Sequence, residues 1–119
     1  MIGENMSDFI LTENRIVEIN ELIERLSHHK AQRTALEEYR KILKANLMKD
    51  ALGKGITAVQ AQEREAYSSD EYQQVVEALK VATKEETKAY YQFKLFEIEI
   101  DVWRTRQASL RKELENLGG

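Results

Sequence analysis

The chain contains no cysteine, which excludes disulfide bonds, thiolate metal ligands and a cysteine nucleophile. It also contains no proline and only five glycines, and this scarcity argues against a turn-rich β fold. No apolar run approaches the ~18 residues that a membrane-spanning helix needs. Because no basic residue precedes the short apolar run near the N-terminus, we expect no signal peptide and a cytoplasmic location.

The residues that are present favour long helices. Of the 119 residues, 42% are hydrophobic and 33% are charged, which is a composition typical of amphipathic helix. A chain of this length corresponds to one domain. We therefore predict a single all-α domain over residues 1–119, flexible in 1–11, with helices over 12–52, 57–67 and 69–117.

Residues typical of helix ends set these bounds. Gly53 and Gly55 end the first helix, because glycine tolerates the left-handed conformation that follows a helix C-terminus. A serine or threonine followed three residues later by glutamine or glutamate forms a capping box at a helix start. By these rules the helix starts lie at Thr12, at Thr57 with Gln60, and at Ser68 with Glu71.

The last helix carries a heptad repeat. Thirteen positions from Val75 to Leu117 are spaced alternately by four and three residues, and eleven of them are apolar. This 3.5-residue period predicts a left-handed coiled-coil seam. The two polar seam positions are Glu86 and Gln107. Polar residues in a coiled-coil seam can fix the register of the helices or the oligomeric state.

The first helix repeats the same spacing from Ile19 to Leu47 but places Arg33 and Arg40 in the seam. Arginine at such positions indicates either a buried ion pair, with Glu86 as a candidate partner, or a cationic groove. Two long helices joined by a short helical elbow predict an antiparallel hairpin. Within the elbow, Tyr67 is expected to pack against its neighbours.

The aromatic surface of the last helix is wider than one partner helix can cover, and exposed patches of that size usually mark an interface. We therefore expect a homo-oligomer that assembles through this helix. Two arginines of the same helix are assigned to ion pairs within or between subunits. The predicted interface residues are Phe93, Phe96, Ile100, Trp103, Arg104 and Arg111.

No catalytic or metal-binding constellation is predicted. The adjacent His28 and His29 point about 100° apart on a helix, whereas metal ligands need to share one face. The paired carboxylates are ordinary surface charges of a coiled coil, and the glycines at 53 and 55 lack the spacing of a phosphate-binding loop. We expect a protein that is not an enzyme and has no metal or cofactor.

The net charge of −3 conceals a basic segment, since residues 28–54 carry seven bases and three acids. Such a segment is usually a solvated helix face with internal salt bridges, but it also suits single-stranded nucleic acid, which binds positive grooves beside aromatic rings. Tyr39 is the aromatic neighbour within this segment. The predicted phosphate contacts, chosen by counting back from the elbow, are Lys30, Arg33, Arg40, Lys41, Lys44, Lys84 and Lys88.

The run FEIEIDVWRTRQASLRKE at 96–113 resembles the C-terminal helix of small proteins from the recombination modules of tailed phages. In that group a pattern W-R-T-x-Q-A-(S/T)-x-R-x-E ends a long helix. The run EREAYSSDEY at 63–72 also resembles their elbow. The order of a long basic helix, a short helix and a long aromatic helix is similar to that of UvsY-type recombination mediators.

The resemblance implies a mediator that forms ring-like oligomers, binds single-stranded DNA and helps a recombinase replace single-strand-binding protein without catalysing any bond change. A phage-encoded protein of this kind acts in the host cytoplasm. The acidic net charge departs from the pattern and favours dependence on protein partners. The alternatives are a helical protein-binding module, such as a phage inhibitor or adaptor of a host protein, and a plain structural coiled coil.

Overall fold

Three helices make up nearly all of residues 12–118, which are the residues that the computed structural model describes. They are α1 (Glu13–Gly53), α2 (Val59–Tyr67) and α3 (Asp70–Gly118). The two long helices, α1 and α3, pack against each other, so the predicted all-α hairpin is confirmed. The segment predicted to be flexible, 1–11, lies outside the described residues.

Both ends of α1 follow the prediction. The backbone N–H of Arg15 donates to the Thr12 hydroxyl at 3.1 Å, which satisfies one of the unpaired amides of the first turn. At the other end Gly55 adopts a φ of 94°, which only glycine reaches readily. The N–H of Ile56 then donates to the Ala51 carbonyl at 3.0 Å, a bond that closes a Schellman motif.

The start of α2 differs from the prediction. Its N-cap is Ala58, in an extended conformation with no side-chain cap, so the proposed capping box of Thr57 and Gln60 is wrong. The buried Gln62 side chain fixes the turn instead, since its Nε2 donates to the carbonyls of Ile56 (2.9 Å) and Thr57 (3.4 Å). The loop carbonyls are therefore satisfied by a residue from the second turn of the helix.

The start of α3 also differs. The Ser68 hydroxyl donates to the carbonyls of Arg64 (2.8 Å) and Glu65 (3.1 Å), so it caps the C-terminus of α2. The proposed capping box of Ser68 with Glu71 is therefore wrong, because that hydroxyl is already engaged by the preceding helix. Ser69 takes the position before α3.

The chain forms two compact units, which are described separately. Among the described residues, unit 1 combines 12–26 with 88–118, and its buried apolar residues there are Leu22 and Ala89. Unit 2 is Ser27–Thr87. Its buried residues are Leu43, Ala51, Gln62, Ala66, Val75 and Ala82.

The predicted seam of α3 is confirmed over most of its length. Every seam position from Val75 to Gln107 is buried or half-buried. The last three seam positions, Leu110, Leu114 and Leu117, are exposed, so α1 does not cover the final turns of the seam. The reason is the register: α1 begins at Glu13 and runs antiparallel to α3, so the final turns of α3 extend past it.

Candidate nucleic-acid interface

Unit 2 contains an ion pair between the two long helices. The Nε of Arg33 donates to Oε2 of Glu86, and its Nη2 donates to Oε1 of the same carboxylate at 3.2 Å. Nη1 donates to Glu37 at 3.0 Å. Of the two interpretations of a seam arginine, the ion pair is therefore the one that is confirmed for Arg33.

This arrangement keeps both partners charged. The hydrogen bond from Arg33 lowers the pKa of Glu86, because it stabilises the carboxylate form. Lys30 lowers the same pKa further through its positive charge. Since Arg33 hydrogen-bonds both Glu86 and Glu37, these two acids are partly neutralised within the fold.

Three lysines form a row along one flank of α1. At 100° per residue, Lys30, Lys41 and Lys44 fall within an arc of about 60°, and they extend over about 21 Å of helix. We call these three residues the lysine row. Lys30 and Lys41 are exposed, and Lys44 is half-buried. The pair of Lys41 with Glu38 (3.3 Å) is fully exposed on the surface and therefore weak.

The elbow end of the lysine row meets an aromatic side chain. The Nζ of Lys44 lies 5.0 Å from the ring centroid of Tyr67 and 3.8 Å from Oε1 of Glu63. The interaction with Tyr67 is the main cause that raises the pKa of Lys44, so this ammonium stays protonated. Tyr67 also packs edge-on against Tyr72 at 5.3 Å, which confirms its predicted packing role, yet it remains 40% exposed.

Tyr67 was not predicted as a binding residue. Its contact with Lys44 depends on how α2 lies against α1, and no local sequence pattern encodes that orientation. By contrast Tyr39, the aromatic neighbour noted in the sequence, lies about 160° around α1 from Lys41, and its hydroxyl donates to Glu71 at 3.3 Å. Tyr39 therefore lies on another side of α1 from the lysine row.

The remaining predicted phosphate contacts are dispersed. Arg40 is half-buried at a seam position of α1. Lys84 is exposed on the face of α3 opposite the seam, and Lys88 belongs to unit 1. Of the predicted residues on α1, Arg33 is engaged by Glu86 and Glu37 and Arg40 is half-buried, so the lysine row is what remains along this flank.

Unit 1 contains an ion pair that the sequence analysis missed. Arg15 donates to Glu99 at 2.6 Å and to Glu18 at 2.7 Å, and its guanidinium carbon lies 4.3 Å from the ring centroid of Phe96. The heptad spacing of α1 does indicate Arg15, because a step of four residues back from Ile19, the first seam position considered, reaches Arg15.

The residues predicted for the oligomer interface divide into two groups. The apolar ones are half-buried in the seam of the chain itself, whereas Arg104 and Arg111 are exposed. Arg104 lies 3.9 Å from Asp101 of its own helix, at the limit of an ion pair. The apolar group comprises Phe93, Phe96, Ile100 and Trp103.

The histidine pair offers no metal site. The rings of His28 and His29 meet edge-on with centroids 5.6 Å apart, and the buried Nδ1 of His29 has no hydrogen-bond partner among the described residues. Across 12–118 no three side chains of the metal-binding types are grouped closely enough to hold an ion.

Within the same range no helix is both long and apolar enough to cross a membrane.

No protein-family model matches this chain, and no curated protein or solved structure matches it either. A functional assignment therefore depends on the charge and geometry of the described residues. The clearest grouping among them is the lysine row with Tyr67 at its end.

Proposed function

We propose that this protein is a phage recombination mediator that binds single-stranded DNA as a homo-oligomer and assists recombinase loading in competition with single-strand-binding protein. The observation that supports the binding step is the lysine row that ends at the exposed ring of Tyr67. The recombination setting is supported by the resemblance of residues 96–113 to helices of phage recombination proteins.

The chemistry of the lysine row suits a single strand. Ammonium groups bind phosphates and release their counterions, which provides affinity without sequence preference. An exposed aromatic ring adds a stacking platform for a base. The acidic net charge opposes binding only weakly, because charges more than about 8 Å away are screened at physiological salt.

The arrangement of Arg33 also favours this function. Glu37 lies between Lys30 and Lys41 on the same flank of α1, and its carboxylate would otherwise cancel part of their charge. Because Arg33 donates to Glu37 at 3.0 Å, the positive potential of the lysine row is preserved. In this proposal Arg33 supports binding indirectly and does not contact phosphate.

Binding of labelled oligo-dT at two salt concentrations, with a duplex of equal length as competitor, tests the proposal. We expect preference for the single strand and a slope of log affinity against log salt of roughly −0.7 per phosphate contact, or about −2 for three lysines. Absence of binding at low salt, or equal binding to duplex, would contradict the proposal.

Charge reversal locates the site. Lys30→Glu with Lys41→Glu is expected to abolish single-strand binding while the helical circular dichroism stays unchanged, since both side chains are exposed. The matched control is Lys80→Glu with Lys112→Glu, which makes the same charge change at exposed positions outside the lysine row. If both pairs weaken binding equally, the site is not the lysine row.

A third variant separates stacking from charge in the same assay. Tyr67→Leu keeps an apolar side chain for packing against Tyr72 but removes the aromatic face. Loss of one stacked base corresponds to about 1–3 kcal/mol, so affinity is expected to fall roughly 5- to 150-fold with little change in the salt slope.

A second candidate function, a helical protein-binding module, is favoured by one observation. Unit 1 exposes large apolar side chains on α3, among them Tyr91, Leu95 and Ile98. A module of this kind would leave DNA unbound in the oligo-dT assay. The two functions are therefore distinguished by the first experiment.

A further inference from the structure

Lys44 differs from the other two members of the lysine row. Lys30 and Lys41 are exposed, whereas the Lys44 side chain keeps only 32% of its accessible surface. Its Nζ lies 3.8 Å from Oε1 of Glu63 and 5.0 Å from the ring centroid of Tyr67. The ammonium at the elbow end of the lysine row therefore already has an anion and an aromatic face as neighbours.

Both neighbours of this ammonium come from α2. Glu63 and Tyr67 are four residues apart, so they lie about 40° apart around that helix and one turn apart along it. Contacts that do not involve Lys44 hold α2 in place, since Ala66 is buried and the Gln62 side chain donates to carbonyls of the elbow. A helix fixed by other contacts thus presents a carboxylate and a ring to Lys44.

These two groups are chemically similar to the two parts of a nucleotide. A carboxylate and a phosphate both offer anionic oxygens to an ammonium. A base stacks on an aromatic ring, and an ammonium is attracted to the face of the same kind of ring. A strand that binds at Lys44 therefore competes with Glu63 for the ammonium, and the ammonium competes with a base for Tyr67.

We propose that a single strand binds this end of the lysine row by an exchange of partners, in which one phosphate replaces Glu63 at Lys44 and one base replaces Lys44 at the ring of Tyr67. Because Tyr72 also packs against that ring, at 5.3 Å between centroids, the place that the ammonium leaves is the one that a base takes. This exchange rests on the proposed function, since it describes how the same site is occupied and released.

The exchange favours single strands over duplexes. A single strand supplies a phosphate for Lys44 and an unstacked base for Tyr67. The bases of a duplex remain stacked on each other, so a duplex that draws Lys44 away from Tyr67 leaves the ring without a new partner. Glu63 therefore acts against ligands that offer phosphate alone, which is how a repulsive group contributes to specificity.

The size of the competition follows from the exposure of the contacts. Lys44 and Glu63 are both partly exposed, and an ion pair of that kind corresponds to a factor of about 2–5 in an equilibrium constant. A cation–π contact at an exposed site corresponds to a similar factor of about 2–5. Glu63 therefore lowers the affinity for DNA slightly and does not prevent binding.

Fluorescence anisotropy of labelled oligo-dT with the full chain tests the role of Glu63. Glu63→Gln is expected to bind about 2- to 5-fold more tightly than the wild type, because the competing carboxylate is removed. The matched control is Glu65→Gln, the same change at an exposed acid about 160° around α2, which should alter the affinity much less. In a Lys44→Ala background, Glu63→Gln should have no larger effect than Glu65→Gln, because the ammonium is absent.

A double-mutant cycle between Lys44 and Tyr67 tests the exchange at the ring. Lys44→Ala removes the ammonium and uncovers the ring, and Tyr67→Leu removes the ring itself. Two independent contacts would give losses of affinity that multiply in the double variant. Exchange predicts an additional loss of about 2- to 5-fold, because each single variant no longer breaks the contact between Lys44 and Tyr67 that the wild type breaks on binding. A merely structural role for the pair would make the combined loss smaller than the product.

The outcomes separate this exchange from the proposed function. Tighter binding by Glu63→Gln that requires Lys44, together with the additional loss in the cycle, would support the exchange. If the wild type does not bind oligo-dT, the proposed function fails and the exchange fails with it. If the wild type binds but Glu63→Gln behaves as Glu65→Gln, or the losses in the cycle only multiply, the exchange is wrong and the lysine row remains the site.

Discussion

Leu22 should contribute more to stability than any other single side chain of unit 1. It is 1% exposed and is the largest fully buried side chain among the described residues. Four of the seven buried apolar residues in 12–118 are alanine, so little other large apolar volume is buried. Leu22 also lines the same hollow as Phe96, on the face where α1 meets α3.

The expected cost of Leu22→Ala follows from this burial. Removing three buried carbons loses about 2.4 kcal/mol of transfer free energy at ~0.8 kcal/mol per methylene. The cavity that remains adds to this, and leucine-to-alanine changes at buried sites cost about 3–5 kcal/mol in total. Small domains have only about 5–15 kcal/mol of stability, so this loss should open much of unit 1.

Urea denaturation and hydrogen exchange read by mass spectrometry measure the effect. We expect peptides from 13–26 and 88–105 to lose protection, while peptides from 30–52 and 70–85 keep more of theirs, because the units have separate buried residues. Leu114→Ala is the matched control, since the same change at a 68% exposed position should cost less than about 0.5 kcal/mol. If Leu22→Ala costs under about 1 kcal/mol, or no more than the control, the inferred packing of unit 1 is refuted.

Two further predictions concern pH. Arg33 lowers the pKa of Glu86 in the folded state. The stability that this pair adds is therefore present above the unfolded pKa of about 4.3, and it is lost as the pH falls through the lower pKa of the folded state. The stability difference between wild type and Glu86→Gln, from urea midpoints at pH 3–7, should shrink toward acid; a constant difference would contradict this. Gln62→Glu would point a carboxylate at the carbonyls of Ile56 and Thr57, which raises its pKa in the folded state. Its melting temperature should therefore fall as pH rises above about 4.3, whereas Gln62→Leu should show no such dependence.

The helical architecture was predictable because its signals are local. Heptad spacing is set by the geometry of a single helix, so it predicted which face of each long helix would be buried. The same register predicted that Arg33 and Glu86 would meet, since both interrupt an apolar seam and lie at similar distances from the elbow. A charged side chain buried without a partner in an apolar seam destabilises the fold, so an arginine and a glutamate in facing seams are expected to pair.

The elbow was predicted less well because several residues competed for the same role. Two adjacent serines, Ser68 and Ser69, both precede α3, and the sequence rule does not say which one the preceding helix will use. Likewise, no local pattern shows that Gln62 will turn back to the loop carbonyls. The position of Tyr67 against Lys44 follows from these contacts, so the lysines of the candidate site could be predicted but its aromatic neighbour could not.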